Sequence, residues 1–324
     1  MSWLRIIHET TYRYSTAVRF GPHRLVLRPR EGHDVQVKEM SLDISPEFEL
    51  KWSRDVFGNS VATARFLRPA DQLTIRSEVL LLQTAPFPLT SGHPGDRVPF
   101  PVTFPALESA VATAYQATTF SDDVARVKQW VGAAVNLNAA NGAQDVVAAV
   151  ARVIRDTIAY RRRDARGVQT PGETLAAGTG SCRDMATLML EALRALGLPA
   201  RFASGYLDCA ASEAGRATTH AWAEAYLPEI GWTGYDPTLG EPTSGGHVVA
   251  GVSNDPRGVM PITGTFFGQQ DEYLGMTVVV QTERFVHAPN PKPAEPGEAK
   301  SDRGYFGEPH PHASRRPQPS SDSR

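Results

Sequence analysis

Cys182, His220 and Asp236 follow one another along the chain. A thiol, an imidazole and a carboxylate are the three groups that acyl transfer through a thioester requires. Cys182 comes directly after the turn Gly178-Thr179-Gly180-Ser181, and Met185, Leu188, Met189, Ala192, Leu193 and Leu196 then recur at three- and four-residue spacing. This period predicts an amphipathic helix, ended by Gly197 and Pro199, with Cys182 in its first turn. A free cysteine has a pKa of about 8.5, and a helix N-terminus or a nearby cation lowers it to roughly 3.5–7.5 by stabilising the thiolate. The unpaired N–H groups of that turn can also hold a developing oxyanion. Alone, Cys182 reads equally well as a small buried hydrophobe, so its partners decide.

The run Thr218 to Leu227 alternates as a strand does. His220, Trp222, Glu224 and Tyr226 share one face, while Ala221, Ala223, Ala225 and Leu227 share the small-residue face that a packed helix wants. Pro228 to Gly231 forms a hairpin turn, and Trp232 to Pro237 returns antiparallel. If Leu227 pairs with Gly231, Asp236 falls opposite Trp222, diagonal to His220 on the same face. A slip of one residue turns it away, so the three-group hypothesis demands the first register. Glu224 lies four residues from His220, roughly 13 Å at about 3.3 Å per residue, too far to orient the imidazole. Taken singly, His220 reads as a hydrogen-bonded strand histidine and Asp236 as a turn residue; the three together favour a catalytic set.

Gly180-Ser181-Cys182-Arg183-Asp184, His220-Ala221-Trp222-Ala223-Glu224 and Gly231-Trp232-Thr233-Gly234-Tyr235-Asp236-Pro237 resemble the core signature of the transglutaminase-like superfamily, in its bacterial cysteine protease-like branch. The resemblance spans about 170–240, and residues 1–85 and 247–268 resemble the β-rich N-terminal domain and the C-terminal segment of that branch. It implies Cys182 as nucleophile, His220 as general base and then acid, and Asp236 as the group that orients the imidazolium. It further implies a hydrolase acting on a peptide or amide, with transfer of the acyl group to an amine as the alternative and a non-catalytic peptide-binding module as a third reading. Arg183 and Asp184 read as helix-end and surface pairing residues, outside the catalytic set.

Composition fits a soluble enzyme of about two domains. The net charge is −2 with both signs interspersed, which suggests neither nucleic acid nor an anionic membrane as a partner. The basic run Arg161-Arg162-Arg163 reads as a solvated strand end. No apolar stretch approaches membrane length and no apolar signal core opens the sequence, so a cytoplasmic protein is expected. The two cysteines, Cys182 and Cys209, imply no disulfide framework. The histidines are scattered, apart from His310 and His312 in the tail, so neither a metal, at His247 or elsewhere, nor a cofactor is expected.

The expected fold is α+β: a β-sandwich-like domain over 1–85, a Pro/Gly-rich linker over 86–105, a papain- or transglutaminase-like core over 106–287 and a disordered tail over 288–324. Six strand-like runs, at 4–14, 24–28, 35–44, 48–55, 60–66 and 72–82, make the first domain. Apolar stripes predict helices over 106–117, 122–135 and 143–158. Tyr160 reads as a cleft residue or a core aromatic. Strand-like runs return at 247–252, 261–267 and 276–282.

Overall fold

The computed structural model describes residues 1–84, 97–163, 167–208 and 218–289. Cys209, the Pro-rich tail beyond 289 and most of the linker lie outside them. Six strands open the chain: β1 (Ser2–Phe20), β2 (His23–Leu25), β3 (Val35–Ser45), β4 (Phe48–Arg54), β5 (Ser60–Phe66) and β6 (Ala70–Gln83). Helices and two short strands follow: α1 (Ala106–Gln116), α2 (Val124–Ala134), α3 (Ala143–Thr157), β7 (Ala159–Tyr160), α4 (Pro171–Ala177), β8 (Thr179–Gly180) and α5 (Cys182–Ala195). The remaining strands are β9 (Ala200–Leu207), β10 (Thr218–Leu227), β11 (Gly231–Asp236), β12 (Glu241–Pro242), β13 (His247–Ser253), β14 (Ile262–Thr263), β15 (Phe266–Phe267) and β16 (Tyr273–Phe285).

The molecule is α+β and layered. Two sheets form the sandwich, one in the order β15-β1-β6-β3 with β16 also on β1, the other in the order β14-β2-β5-β4. Tyr14, Val18, Leu73 and Ile75 of the first meet Leu25 and Ala62 of the second in its core. β16 runs antiparallel to β1 from the Trp3–Phe285 pair to the Tyr14–Tyr273 pair. The chain thus returns to its first sheet after the helices, a long-range pairing that short runs of apolar residues do not announce.

A third, antiparallel sheet, β12-β11-β10-β9-β13, carries α5 on one face. Ala221, Ala223, Ala225 and Leu227 of β10 pack with Met185, Leu188, Met189 and Ala192 of α5, and α3 adds Val146, Val147, Val150 and Ile154 to the same cluster. The small-residue face of β10 is therefore the helix-packed face, as its alternation requires. Elsewhere the sheet meets the sandwich: Tyr206, Val248 and Ala250 pack with Leu4, Ile6, Val79 and Leu81, and Trp222 packs with Phe57. Asn59 fastens this junction, because its amide donates to the Val252 carbonyl at 2.7 Å and accepts from the Val252 N–H at 2.9 Å.

His8 is buried at the same junction, with its ring nitrogens 3.2 Å from the Tyr206 hydroxyl and 3.0 Å from Thr10 Oγ1. Burial pulls its pKa down from 6.5 to about 4. Between those values the unfolded chain binds the proton that the folded protein refuses. Stability is therefore full above pH 6.5 and is lost as pH falls toward 4, by about 3 kcal/mol at about 1.4 kcal/mol per pH unit. Urea unfolding followed from pH 7 to pH 4 should show this slope, and His8→Gln should flatten it.

Candidate active site

Cys182 is the first residue of α5, where the sequence period places it. The turn before it is held by Asp184, whose carboxylate accepts from the Ser181 N–H at 2.9 Å, the Ser181 hydroxyl at 2.8 Å and the Gln169 N–H at 2.7 Å. Arg163 adds two further bonds at 3.1 Å each. Asp184 is fully buried, so it is not a surface pairing residue; it is the internal anchor of the cysteine turn. Nor is Arg163 simply part of a solvated strand end. Burial alone would raise the Asp184 pKa, but Arg163, Gln169 and Ser181 together hold it below its ordinary value. Asp184→Ala should cost about 3 kcal/mol in urea unfolding, because two backbone N–H groups and a guanidinium lose their acceptor.

α4 enters this turn and escaped the sequence reading. Its signals were present: Thr170 and Glu173 form a reciprocal capping box, Pro171 occupies the first turn, and Gly178 closes the helix in the left-handed region at φ 62°. Its seven residues are too few for an apolar stripe to show.

β10 and β11 pair in the register that the site requires. Leu227 faces Gly231, the ladder continues to Ala223 and Tyr235, and Gly231 takes φ 89°, a conformation glycine adopts without strain. His220 and Asp236 lie just past the last paired residues, at the open end of the hairpin. His220 Nε2 is 2.7 Å from Asp236 Oδ2, and the Cys182 side chain is near enough to help hold the imidazole in its charged form. Since Nε2 is engaged by the carboxylate, Nδ1 is the atom left to face the sulfur. Glu224 is occupied elsewhere, accepting from Arg201 at 2.6 Å.

Asp236 is both a turn residue and an imidazole partner. It is fully buried, and Oδ1 accepts from the Thr238 N–H at 2.8 Å and from the Thr238 hydroxyl at 2.7 Å. Oδ2 receives His220 and, at 3.2 Å, Nε2 of His247. Burial would raise the Asp236 pKa, but the bonds from His220, His247 and Thr238 drive it far below the carboxylate range. Burial would likewise lower the pKa of His220; Asp236 and Cys182 reverse this and push it up to about 10.

Ligand atoms of His220, Asp236 and His247 lie within 4.8 Å of one another, a spacing that a cation could use. The donor set argues otherwise. The Ser244 N–H donates to His247 Nδ1 at 3.1 Å, which leaves the ring proton on Nε2, where a metal would need a lone pair. The sequence reading leaves out Thr238 and weighs His247 only as a metal ligand and as the start of a strand. Thr238 was detectable as the residue two beyond Asp236 in an Asp-Pro-Thr turn. Tyr160 is 59% exposed, so it is no core aromatic; the partial burial of its phenol and the neighbouring Cys182 raise its pKa.

A cysteine-led helix packed on an antiparallel sheet, with histidine and aspartate on adjacent strands, defines a papain- or transglutaminase-like class of protein. Residues 113–237 match the Transglutaminase-like superfamily and residues 4–81 the Bacterial transglutaminase-like N-terminal region, and over these segments the chain belongs to that family. The uncharacterized protein Rv2569c of Mycobacterium tuberculosis is 29% identical over 276 residues, covering 81% of this chain and 87% of the relative. ML0607 of Mycobacterium leprae, also uncharacterized, is 26% identical over 287 residues, covering 86% and 98%. The fold is similar to that of a candidate cysteine protease from Cytophaga hutchinsonii, at TM-score 0.68 and 16% identity over 89% of this chain and 92% of the other. Among the described residues no helix is long and apolar enough to cross a membrane.

Proposed function

We propose that the protein is a thiol-dependent acyl-transfer enzyme in which Cys182 attacks a carbonyl, His220 moves the proton and Asp236 orients the imidazole. The 2.7 Å bond between His220 and Asp236, with Cys182 near the same imidazole, carries this reading. Asp236 and Cys182 raise the His220 pKa to about 10 against its burial, so the imidazole holds a proton through the neutral range. The thiolate adds to the carbonyl carbon, and the Cys182 N–H at the helix start faces the developing oxyanion. The His220 imidazolium gives its proton to the departing amine and leaves a thioester on the sulfur. The neutral imidazole then takes a proton from the second nucleophile.

With water as that nucleophile the enzyme hydrolyses a peptide or amide; with an amine it is a transglutaminase. Hydrolysis is the first reading, since Cys182 is only partly buried and water is the most abundant nucleophile. Wild type is to be incubated with a library of peptides and amine donors and the products identified by mass spectrometry. New carboxylates that persist when a lysine analogue is added mark a hydrolase, and amide adducts mark a transferase. The absence of both products would contradict the reading. The partner proposed is thus a peptide or protein amide, and the proposed location is the cytoplasm.

A further inference from the structure

We propose that His247 is a positioning residue of this site, a hydrogen-bond donor with a fixed tautomer that holds the Asp236 carboxylate for His220. The inference rests on the proposed acyl-transfer site and assigns it a fourth side chain. His247 opens β13, on the opposite side of β9 from β10, so its approach to Asp236 is made by tertiary structure alone. Its side chain is 3% exposed, and Nε2 reaches Asp236 Oδ2 at 3.2 Å, the oxygen that His220 also uses.

The tautomer is set locally. The Ser244 N–H donates to Nδ1 at 3.1 Å while the His247 N–H donates back to the Ser244 carbonyl at 2.9 Å. With Nδ1 acting as acceptor, the ring carries its proton on Nε2 and aims it at the carboxylate. Together with the two bonds from Thr238 to Oδ1, this gives each carboxylate oxygen two donors. A buried carboxylate so filled has no freedom to rotate away from His220.

The turn that presents His247 is held by the sandwich. Gln83 Nε2 and Arg284 Nη2, at the ends of β6 and β16, donate to the Gly245 carbonyl at 3.0 and 2.9 Å. β13 is pressed against β9 at Gly205, where a Cβ would lie 1.9 Å from the Val248 carbonyl oxygen. β6 and β16 therefore fix the position of His247, and through it that of Asp236. This gives the β-rich domain a role in the site without any contact with substrate.

The test uses the full-length chain carrying Cys209→Ser, so that Cys182 is the remaining thiol, and measures its alkylation rate by iodoacetamide from pH 5 to pH 10. His247→Phe keeps an aromatic ring but neither bonding nitrogen, whereas His247→Gln keeps a donor for Asp236 and an acceptor for Ser244. His247→Phe is expected to slow alkylation at neutral pH about tenfold, the loss of about one hydrogen bond to a charged group. His247→Gln should stay within about twofold of the parent, since it remakes that bond. If His247→Phe matches the parent, or both variants slow equally, the proposal is overturned. His220→Ala separates the two claims. If it slows alkylation while His247→Phe does not, only the role of His247 fails; if it too changes nothing, the proposed site fails with it. Should His247→Phe not fold, nitrogen NMR of the wild-type imidazole decides: a proton on Nε2 and none on Nδ1 at pH 7 supports the proposal, and the reverse overturns it.

Discussion

Cys182→Ala is expected to lower acyl-transfer turnover by roughly 10⁴-fold or more while leaving the fold intact. The size of the effect follows from the chemistry. Without the sulfur there is no thioester, and water would have to attack the substrate carbonyl directly. The oxyanion-holding backbone and any substrate-binding surface remain, and they account for the residual rate. Stability should change little, because Cys182 is only partly buried at the edge of the helix-side core and Asp184 still anchors the turn. Unchanged turnover would mean that another group does the chemistry; unchanged ligand affinity with no turnover in either protein would leave a binding module.

Asp236→Asn should lower turnover about 10²–10⁴-fold and also change its pH dependence. The carboxylate is the principal group that raises His220 to about 10 against its burial, so the neutral amide returns the imidazole toward or below its ordinary 6.5. Loss of activity on the alkaline side, expected near pH 10 in the wild type, should move down toward neutrality. The sign for stability is the same. His220 has a raised pKa, so its contribution is complete below about pH 6.5 and is lost as pH rises through 10. The comparison of pH–rate profiles for the two proteins distinguishes this account from one in which Asp236 is merely a turn residue, which would leave the alkaline limb in place.

The parts of the site that local pattern governs were legible in the sequence. The stripe from Met185 to Leu196 gave α5 and its first residue, and the alternation from Thr218 to Leu227 gave the two faces of β10. The hairpin left two registers open, and the one that puts Asp236 on the His220 face is the one β10 and β11 adopt. What escaped depends on pairing across long separations. His247 comes eleven residues after Asp236, and nothing in their spacing says that β13 lies beside β9. Likewise β16 joins β1 although some 270 residues separate them in the chain. Asp184 was misjudged as a surface residue because a charge at a helix end is ordinary, and only the convergence of Arg163 and Gln169 shows it to be internal.

The central claim, that Cys182 is a nucleophile driven by His220, is tested most directly by trapping the acyl-enzyme. The full-length protein is to be mixed with p-nitrophenyl acetate and examined by intact-mass spectrometry and peptide mapping. A single acetyl group on Cys182, formed much more slowly in His220→Ala and released by water or by added amine, is the expected result. Acetylation confined to other residues, or acetylation of Cys182 at the same rate without His220, would contradict the account.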